Sequence, residues 1–429
     1  MSGEAEAHPS ADAAARRAAE AAARQSYGKL VALLAARTGD IARAEDALSL
    51  AFAAALAEWP KSGPPETPDA WLLAVARRRL IDETRSRQVR SLAGDHLRLL
   101  AQEIEDAMQD AMEDVTDADI PDRRLALMFA CAHPAMEARI RAPLILQTIL
   151  GFDAAAIASA FLVSPATMSQ RLVRAKAKIA AAKIPFRLPD TPELAGRLDA
   201  VLEAIYSTFA LGWADASGGD ARLGNMAGEG IWLGELVAAL MPNEPETLGL
   251  LALMLHAQAR RPARRSEAGD YVPLAAQDPA QWDAALIDRA EALLYRAGAM
   301  GRPGRYQLEA AVQSVHAARR ISGKTDWLAI EHLYDALWIV TASPVVALNR
   351  AAALAQTRGP AQALAALDDL AQDARMAAYQ PYWAARADLC ARSGNIVAAV
   401  AAYQRAIGLE SDPAVRRFLQ AQQARLPPA

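Results

Sequence analysis

Apolar side chains recur at helical spacings along most of the chain, and residues 153–179 give the clearest pattern. This stretch is predicted to be a helix-turn-helix, because a polar break interrupts two apolar periodicities. Ser164 suits the N-cap of the second helix, and Pro165 fits its first turn, where no amide hydrogen is needed. The apolar residues of that helix recur at intervals of three and four, which predicts one buried stripe. They are Met168, Leu172, Ala175 and Ile179.

The opposite side of the same helix offers groups that suit a DNA major groove. Hydroxyl, amide and guanidinium groups bond to base edges, while lysine ammonium groups reach phosphates. Five basic residues and no acidic one lie between Ser164 and Lys183. An ordinary amphipathic helix with a solvated basic face is the alternative, because such patterns are short. The candidate contact residues are Thr167, Ser169, Gln170, Arg171, Arg174, Lys176 and Lys178.

Composition extends the helical interpretation to the whole chain. Ala and Leu are abundant and alternating runs of Val, Ile and Thr are nearly absent, which predicts an all-α fold. The 429 residues are enough for two or three domains with substantial cores. Cys131 and Cys390 lie far apart, so we expect no disulfide framework and a reducing compartment.

No stretch of the sequence predicts a membrane segment or an export signal. No segment approaches 18 uncharged apolar residues, the length that a membrane-spanning helix needs. The first twenty-odd residues mix charges with alanines and lack the apolar run of a secretion signal. We therefore expect a soluble cytoplasmic protein with no membrane partner.

Charge and proline divide the chain into blocks. Nine acidic residues and no Lys or Arg lie between Leu99 and Asp122, which predicts a solvated acidic linker. Pro185, Pro189 and Pro192 mark the end of the helix-turn-helix block. The predicted organisation is an N-terminal tail over 1–21, a helical block over 22–92, the linker over 93–122, the helix-turn-helix block over 123–185 and a larger helical block over 186–429.

The last block contains the spacing of a helical repeat. Gly394 is followed at offsets of 5, 9 and 12 by Ala399, Tyr403 and Ala406, a small–aromatic–small pattern that lets antiparallel helices pack closely. Gly359 lies 35 residues earlier and is also followed by alanine and leucine. Tetratricopeptide-like hairpins are predicted near residues 344–412, with a concave surface for a protein or small-molecule partner. A capping or dimerisation layer is the alternative.

Two further helices combine a buried stripe with charged residues. Residues 70–90 carry six arginines and two acidic residues, and Trp71 begins an apolar stripe there. Residues 41–58 form a second amphipathic helix. Its polar side carries Arg43, Glu45, Asp46 and Ser49.

Together these segments resemble a known family. The runs AEDALSLAF at 44–52 and RRRLID at 77–82 resemble region 2 of extracytoplasmic-function sigma factors, and residues 123–183 resemble their region 4. The remainder resembles the long tetratricopeptide-containing extension of one subgroup, and the runs QRLVRAK at 170–176 and SPVVALNR at 343–350 are similar to sequences of that subgroup. The resemblance implies a sigma factor of the sigma-70 family.

The resemblance also implies roles for these helices. Such a factor binds core RNA polymerase and brings it to promoter DNA. Its region 2 captures the unpaired −10 bases, and its region 4 reads the −35 duplex. Opening a duplex needs cations on the strand backbone, and each phosphate contact steepens the salt dependence of binding. Trp71 is expected in the core rather than against a base. The candidate region 2 cations are Arg77, Arg78, Arg79, Arg85, Arg87 and Arg90.

By the same resemblance, the helix over 41–58 holds the polymerase clamp. The candidate contacts are Glu45, Asp46 and Ser49, with a solvated face as the alternative. The family usually has Gln followed by an acidic residue where this chain has Ser49 and Leu50, which removes polar contacts.

Neither catalytic chemistry nor a cofactor is expected. Cys131 and His133 lie two residues apart, but a zinc site needs about four ligands, so a packing cysteine is favoured. The stretch from Arg260 to Arg265 is expected to be a solvated basic loop that could touch nucleic acid.

The sequence therefore predicts an alternative sigma factor whose C-terminal block regulates it in cis. The regulatory role is predicted because this block has more than 200 residues. There are two alternatives: a helix-turn-helix regulator that does not bind polymerase, and a helical interaction scaffold. An enzyme is the least favoured class.

Overall fold

All regular secondary structure in the described part of the chain is helical. A computed structural model describes residues 11–91, 120–161, 163–214 and 226–427, and places 19 α-helices and no strand in them. The all-α prediction is confirmed. The chain divides into two compact units, Met1–Ala204 and Ile205–Ala429, called here the N-terminal and C-terminal units.

Three long helices begin the N-terminal unit and pack on one another through apolar stripes. Asp40 caps the second helix by accepting a hydrogen bond from the amide of Arg43, and Gly63 ends that helix with a φ of 79°. Trp59 and Trp71 meet edge to face, with ring centroids 5.4 Å apart. The helices are α1 (Ala11–Thr38), α2 (Ile41–Ser62) and α3 (Pro68–Ser91).

The predicted N-terminal tail is wrong for residues 11–21, which belong to α1. Ala15 and Ala19 are buried there, because alanines spaced by three and four residues let a neighbouring helix approach closely. The predicted acidic linker falls almost entirely on residues 92–119, outside the described residues.

The rest of the N-terminal unit is a set of shorter helices around an apolar core. Phe129 and Met128 are completely buried, and the thiol of Cys131 lies 3.5 Å from the hydroxyl of Thr148. Burial raises the pKa of Cys131 to about 12, as befits a packing cysteine. The helices are α4 (Ile120–Cys131), α5 (Ala138–Leu150), α6 (Ala154–Ala160) and α7 (Pro165–Ala181).

The predicted boundary at residue 186 also differs from the observed one. The next helix, α8 (Thr191–Ala214), begins in the N-terminal unit, which extends to Ala204. Arg197 explains the difference, because its nearly buried guanidinium donates to the carbonyl of Phe129 at 3.1 Å and pairs with Glu193 at 2.6 Å. The first half of α8 is therefore part of the core of this unit.

The C-terminal unit is built around one helix that is apolar on all sides. This helix, α10 (Pro245–Ala259), has 13 buried residues out of 15 and packs against the helices that follow it. The helices around it are α9 (Met226–Leu240), α11 (Ala284–Ala299), α12 (Arg305–Ala317), α13 (Arg319–Ser322) and α14 (Trp327–Thr341).

Successive helix pairs complete the unit. Gly359 and Gly394 adopt φ values of 89° and 78° at two of the connections, a conformation that favours glycine. Ala399, Tyr403 and Ala406 are buried between neighbouring helices, as their spacing predicts. The helices are α15 (Pro344–Thr357), α16 (Pro360–Leu370), α17 (Gln380–Arg392), α18 (Ile396–Leu409) and α19 (Pro413–Ala424).

The stretch from Arg260 to Arg265 is not the solvated loop that was expected. Arg260 is only 8% exposed and donates to the side-chain oxygen of Gln313 at 2.5 Å. Arg264 stacks over the ring of Trp213 at 4.2 Å, and Arg265 pairs with Asp412. These guanidiniums turn inward because each has a carbonyl, amide, carboxylate or aromatic partner there. Within the described residues, none of the helices is long and apolar enough to cross a membrane.

Candidate nucleic-acid and polymerase interface

The helices α6 and α7 lie in the stretch for which a helix-turn-helix is predicted. Asp153 caps α6 by accepting from the amide of Ala156 at 2.8 Å. Ser164 caps α7 by accepting from the amide of Thr167 at 3.3 Å, and Pro165 occupies the first turn. The predicted stripe of Met168, Leu172, Ala175 and Ile179 is buried. The cap and the inner face of α7 are therefore confirmed.

The outer face of α7 presents most of the predicted DNA-contacting residues to solvent. Ser169, Gln170, Arg174 and Lys178 are exposed. Thr167 and Arg171 are half-buried, and the hydroxyl of Thr167 lies 2.8 Å from that of Ser164. The accessible groups are amide, hydroxyl and guanidinium, which can bond to base edges.

A basic cleft borders this face. It has a volume of about 160 Å³ and lies between the start of α5 and α7. Arg139 reaches it from α5 and also donates to the carboxylate of Glu137 at 2.8 Å. Sequence reasoning missed Arg139, because nothing in the sequence shows that this part of α5 lies beside α7. The cations that line the cleft are Arg139, Arg171, Arg174 and Lys178.

Lys176 has a different environment from its predicted phosphate-contacting neighbours. Its ammonium is 2.5 Å from the Oε2 of Glu45, a predicted polymerase contact on α2. The two side chains are only 13% and 15% exposed. Burial raises the pKa of Glu45 despite the ammonium beside it, and its Oε1 is buried without a hydrogen-bond partner. The structure therefore brings a predicted DNA contact and a predicted polymerase contact together.

The rest of the predicted polymerase surface is open. Asp46 and Ser49 are exposed on α2, and Leu50 beside them is 53% exposed. An apolar side chain in this position adds contact area to a polar surface.

The basic face of α3 is only partly described. Arg78 and Arg79 are exposed, while Arg77 is half-buried with a buried Nε that has no hydrogen-bond partner. Burial lowers the pKa of Arg77, and the positive charges of Arg37 and Arg123 act in the same direction. The side chains of the other three predicted cations, Arg85, Arg87 and Arg90, lie outside the described residues.

Among the described residues, no group of three or more His, Cys, Asp or Glu side chains could hold a metal ion. Trp71 is half-buried against Trp59, which suits the packing role predicted for it.

Comparison with known proteins gives the family. Residues 23–91, which cover most of α1 to α3, match the family described as sigma-70 region 2. Residues 197–298 match a family of unknown function, DUF6596. An uncharacterised protein of Rhizobium meliloti (strain 1021) is 38% identical over 379 residues, which is 88% of this chain and 89% of the relative. No solved structure matches the chain.

The chain belongs to the sigma-70 family. Its role is that of a transcription initiation factor, which binds core RNA polymerase and promoter DNA.

Proposed function

We propose that this protein is an alternative sigma factor of the extracytoplasmic-function type with a tetratricopeptide-like regulatory domain. In this proposal, α3 binds the −10 element, α7 binds the −35 element and α2 binds the polymerase. The observation that carries the proposal is the outer face of α7. Its amide, hydroxyl and guanidinium groups lie on a helix whose opposite face is fixed in the core.

Arginines on α3 supply the charge that strand capture requires. Arg78 and Arg79 are exposed on a helix that is otherwise held by buried Leu72 and Ala76. Cations on a rigid helix can follow a phosphate backbone without a large ordering cost. The proposed contacts through Arg85, Arg87 and Arg90 extend this basic run along the sequence.

The C-terminal unit is proposed to regulate this activity in cis. Its paired helices α15 to α18, with buried Tyr382 and Tyr403 at their contacts, suit a repeat-like scaffold that binds a protein or a small molecule. A chain that ends after Ala214 keeps all of α8 and tests this idea. We expect altered promoter-dependent transcription from the shortened chain once cooperative thermal unfolding has shown that it is folded. Unchanged output from a folded shortened chain contradicts regulation in cis.

Transcription in vitro with purified core polymerase and a genomic promoter library tests the central proposal. We expect RNA synthesis from defined start sites with the wild type. The variant Arg78→Ala plus Arg79→Ala is expected to keep polymerase binding and lose most open-complex formation. A matched control replaces Arg416 and Arg417 on α19 of the C-terminal unit with alanine. If the protein forms no complex with core polymerase, a stand-alone DNA-binding regulator becomes the better interpretation.

A further inference from the structure

Three contacts hold region 2 and region 4 together inside the N-terminal unit. One is the Lys176–Glu45 ion pair between α7 and α2. The other two are the packing of α1 against α4 and against α5. Each contact joins a helix of the sigma-70 region 2 match to a helix of the helix-turn-helix block, and residues 92–119 separate the two blocks in sequence.

The α1–α5 contact is too close for any side chain at its centre. A Cβ added to Gly28 would lie 1.5 Å from the carbonyl oxygen of Ile149, so the two helix backbones meet at this glycine. On the same side, Tyr27 packs against Gly151, where an added Cβ would lie 3.0 Å from the tyrosine ring. This contact is therefore specific to glycine, and even a methyl group would push the helices apart.

The ion pair joins the two surfaces that the proposed function needs. While Lys176 contacts Glu45, its ammonium cannot bind a DNA phosphate and the Glu45 carboxylate cannot bind the polymerase. Both side chains are almost buried, so neither is accessible to a macromolecule in this arrangement.

The desolvation cost of this ion pair is not fully offset by hydrogen bonds. A pair of this kind is easier to open than one whose polar atoms are all bonded. Burying two charges has a desolvation cost, which is offset only when the remaining polar atoms find partners. Here the second oxygen of Glu45 is buried without a partner. The packing around the pair, rather than the pair alone, must hold the closed arrangement.

We propose that the N-terminal unit is self-inhibited: region 4 docks on region 2 through Gly28–Ile149 and Lys176–Glu45, and core polymerase must displace it to reach α2. This inference rests on the proposed function. It makes α7 an internal competitor for the polymerase-binding surface, and any mutation that loosens the contact is expected to favour polymerase binding.

Energy transfer between two fluorophores tests the closed arrangement in the full-length chain. The labels go on Glu58→Cys in α2 and Val173→Cys in α7, both exposed, while Cys131 and Cys390 are buried. We expect high transfer in the protein alone and a fall when core polymerase binds. Gly28→Ala is expected to show low transfer before polymerase is added, and to bind polymerase several-fold more tightly. The control is Gly196→Ala, because a Cβ at that helical glycine meets no atom within 4 Å.

Charge exchange provides a second test that does not depend on Gly28. Glu45→Lys and Lys176→Glu are each expected to lower energy transfer, because like charges then face each other. The double exchange restores an opposite pair and is expected to restore transfer. If the double variant stays as open as the single ones, opposite charges at these two positions do not stabilise the closed form, and the role proposed for the ion pair is wrong.

The outcomes separate the inference from the proposed function. If polymerase binds while energy transfer and the affinity of Gly28→Ala stay at wild-type values, self-inhibition is overturned and the proposed function stands. If neither the wild type nor Gly28→Ala binds core polymerase, both are overturned.

Discussion

At the scale of single residues, partners that are distant in sequence decide how a buried charge affects stability. Glu331 on α14 is completely buried, yet its sequence neighbours supply no cation for it. Its carboxylate accepts from the hydroxyl of Thr357 at 2.5 Å and pairs with Arg358 at the end of α15. The hydrophobic pattern predicts both helices, but it contains no information about this pairing.

Arg358→Met is expected to destabilise the C-terminal unit by about 1–3 kcal/mol, because the completely buried carboxylate of Glu331 loses its cation, although the guanidinium itself is 54% exposed. Arg350→Met is the matched control. That arginine also lies on α15 and pairs with Asp335 at 2.5 Å, but both side chains are more than a third exposed. An exposed pair contributes about 0–1 kcal/mol. Urea unfolding measures both changes, and equal losses would contradict the distinction drawn between them.

His256 makes the stability of the C-terminal unit depend on pH. The side chain is 1% exposed, and burial lowers its pKa to about 4, with Arg260 acting in the same direction. Glu291 lies 3.4 Å from its Nε2 but does not offset burial. An unfolded histidine has a pKa of about 6.5, so the unfolded chain binds a proton that the folded chain excludes. The free energy of unfolding is therefore expected to fall as pH drops from about 6.5 to 4.

Burial also lowers the pKa of His316 to about 4, so two histidines share this acid sensitivity. Replacing one of them, by His256→Gln, is expected to reduce the loss of stability between pH 6.5 and 4, while His316 keeps its own contribution. Thermal unfolding at several pH values measures it. His332→Gln is the control, because that side chain is exposed. An unchanged pH profile in His256→Gln would rule out the assigned origin.

At the scale of elements, sequence periodicity succeeds where a helix has a cap and one apolar stripe. The cap and inner face of α7 are predicted residue by residue, and the hairpin at Gly394 follows from its glycine and its small–aromatic–small spacing. The start of α1 is missed because alanines carry little hydrophobic contrast with their neighbours. The boundary before α8 is missed because Arg197 reaches a carbonyl 68 residues away in sequence.

The N-cap of α7 can be tested by Ser164→Ala. The side chain of Ser164 satisfies the amide of Thr167, and loss of an N-cap typically costs about 1 kcal/mol. Ser169→Ala in the interior of the same helix is the control, and we expect a change of no more than about 0.5 kcal/mol there. Urea unfolding followed by circular dichroism compares the two. If both serines behave alike, the cap does not stabilise α7 in the way inferred here.

For the whole molecule, the sequence predicts surfaces but not how they meet. Lys176 is predicted as a DNA contact from the face of its helix, and Glu45 is predicted as a polymerase contact from the resemblance to sigma factors. The two residues are 131 positions apart, and the packing of α1 and α2 on α4, α5 and α7 places them in contact. Arg139 is missed for the same reason, because its position beside α7 is a tertiary feature.

Arg139 and Arg174 are expected to affect promoter binding in different ways once the protein is bound to polymerase. Arg139 lines the basic cleft from α5 rather than from α7, so we expect it to contact a phosphate rather than a base. Arg139→Ala should weaken binding to all promoters alike and reduce the slope of log K against log salt by about 1.

Arg174 is exposed on the outer face of α7, so its loss should weaken binding to the preferred −35 sequence by about 1–3 kcal/mol and relax the preference there. Fluorescence anisotropy with matched and altered −35 duplexes over a range of salt separates the two effects. Equal losses on both duplexes for Arg174→Ala would assign that residue to the backbone. A loss confined to the matched duplex for Arg139→Ala would assign the cleft to base recognition instead.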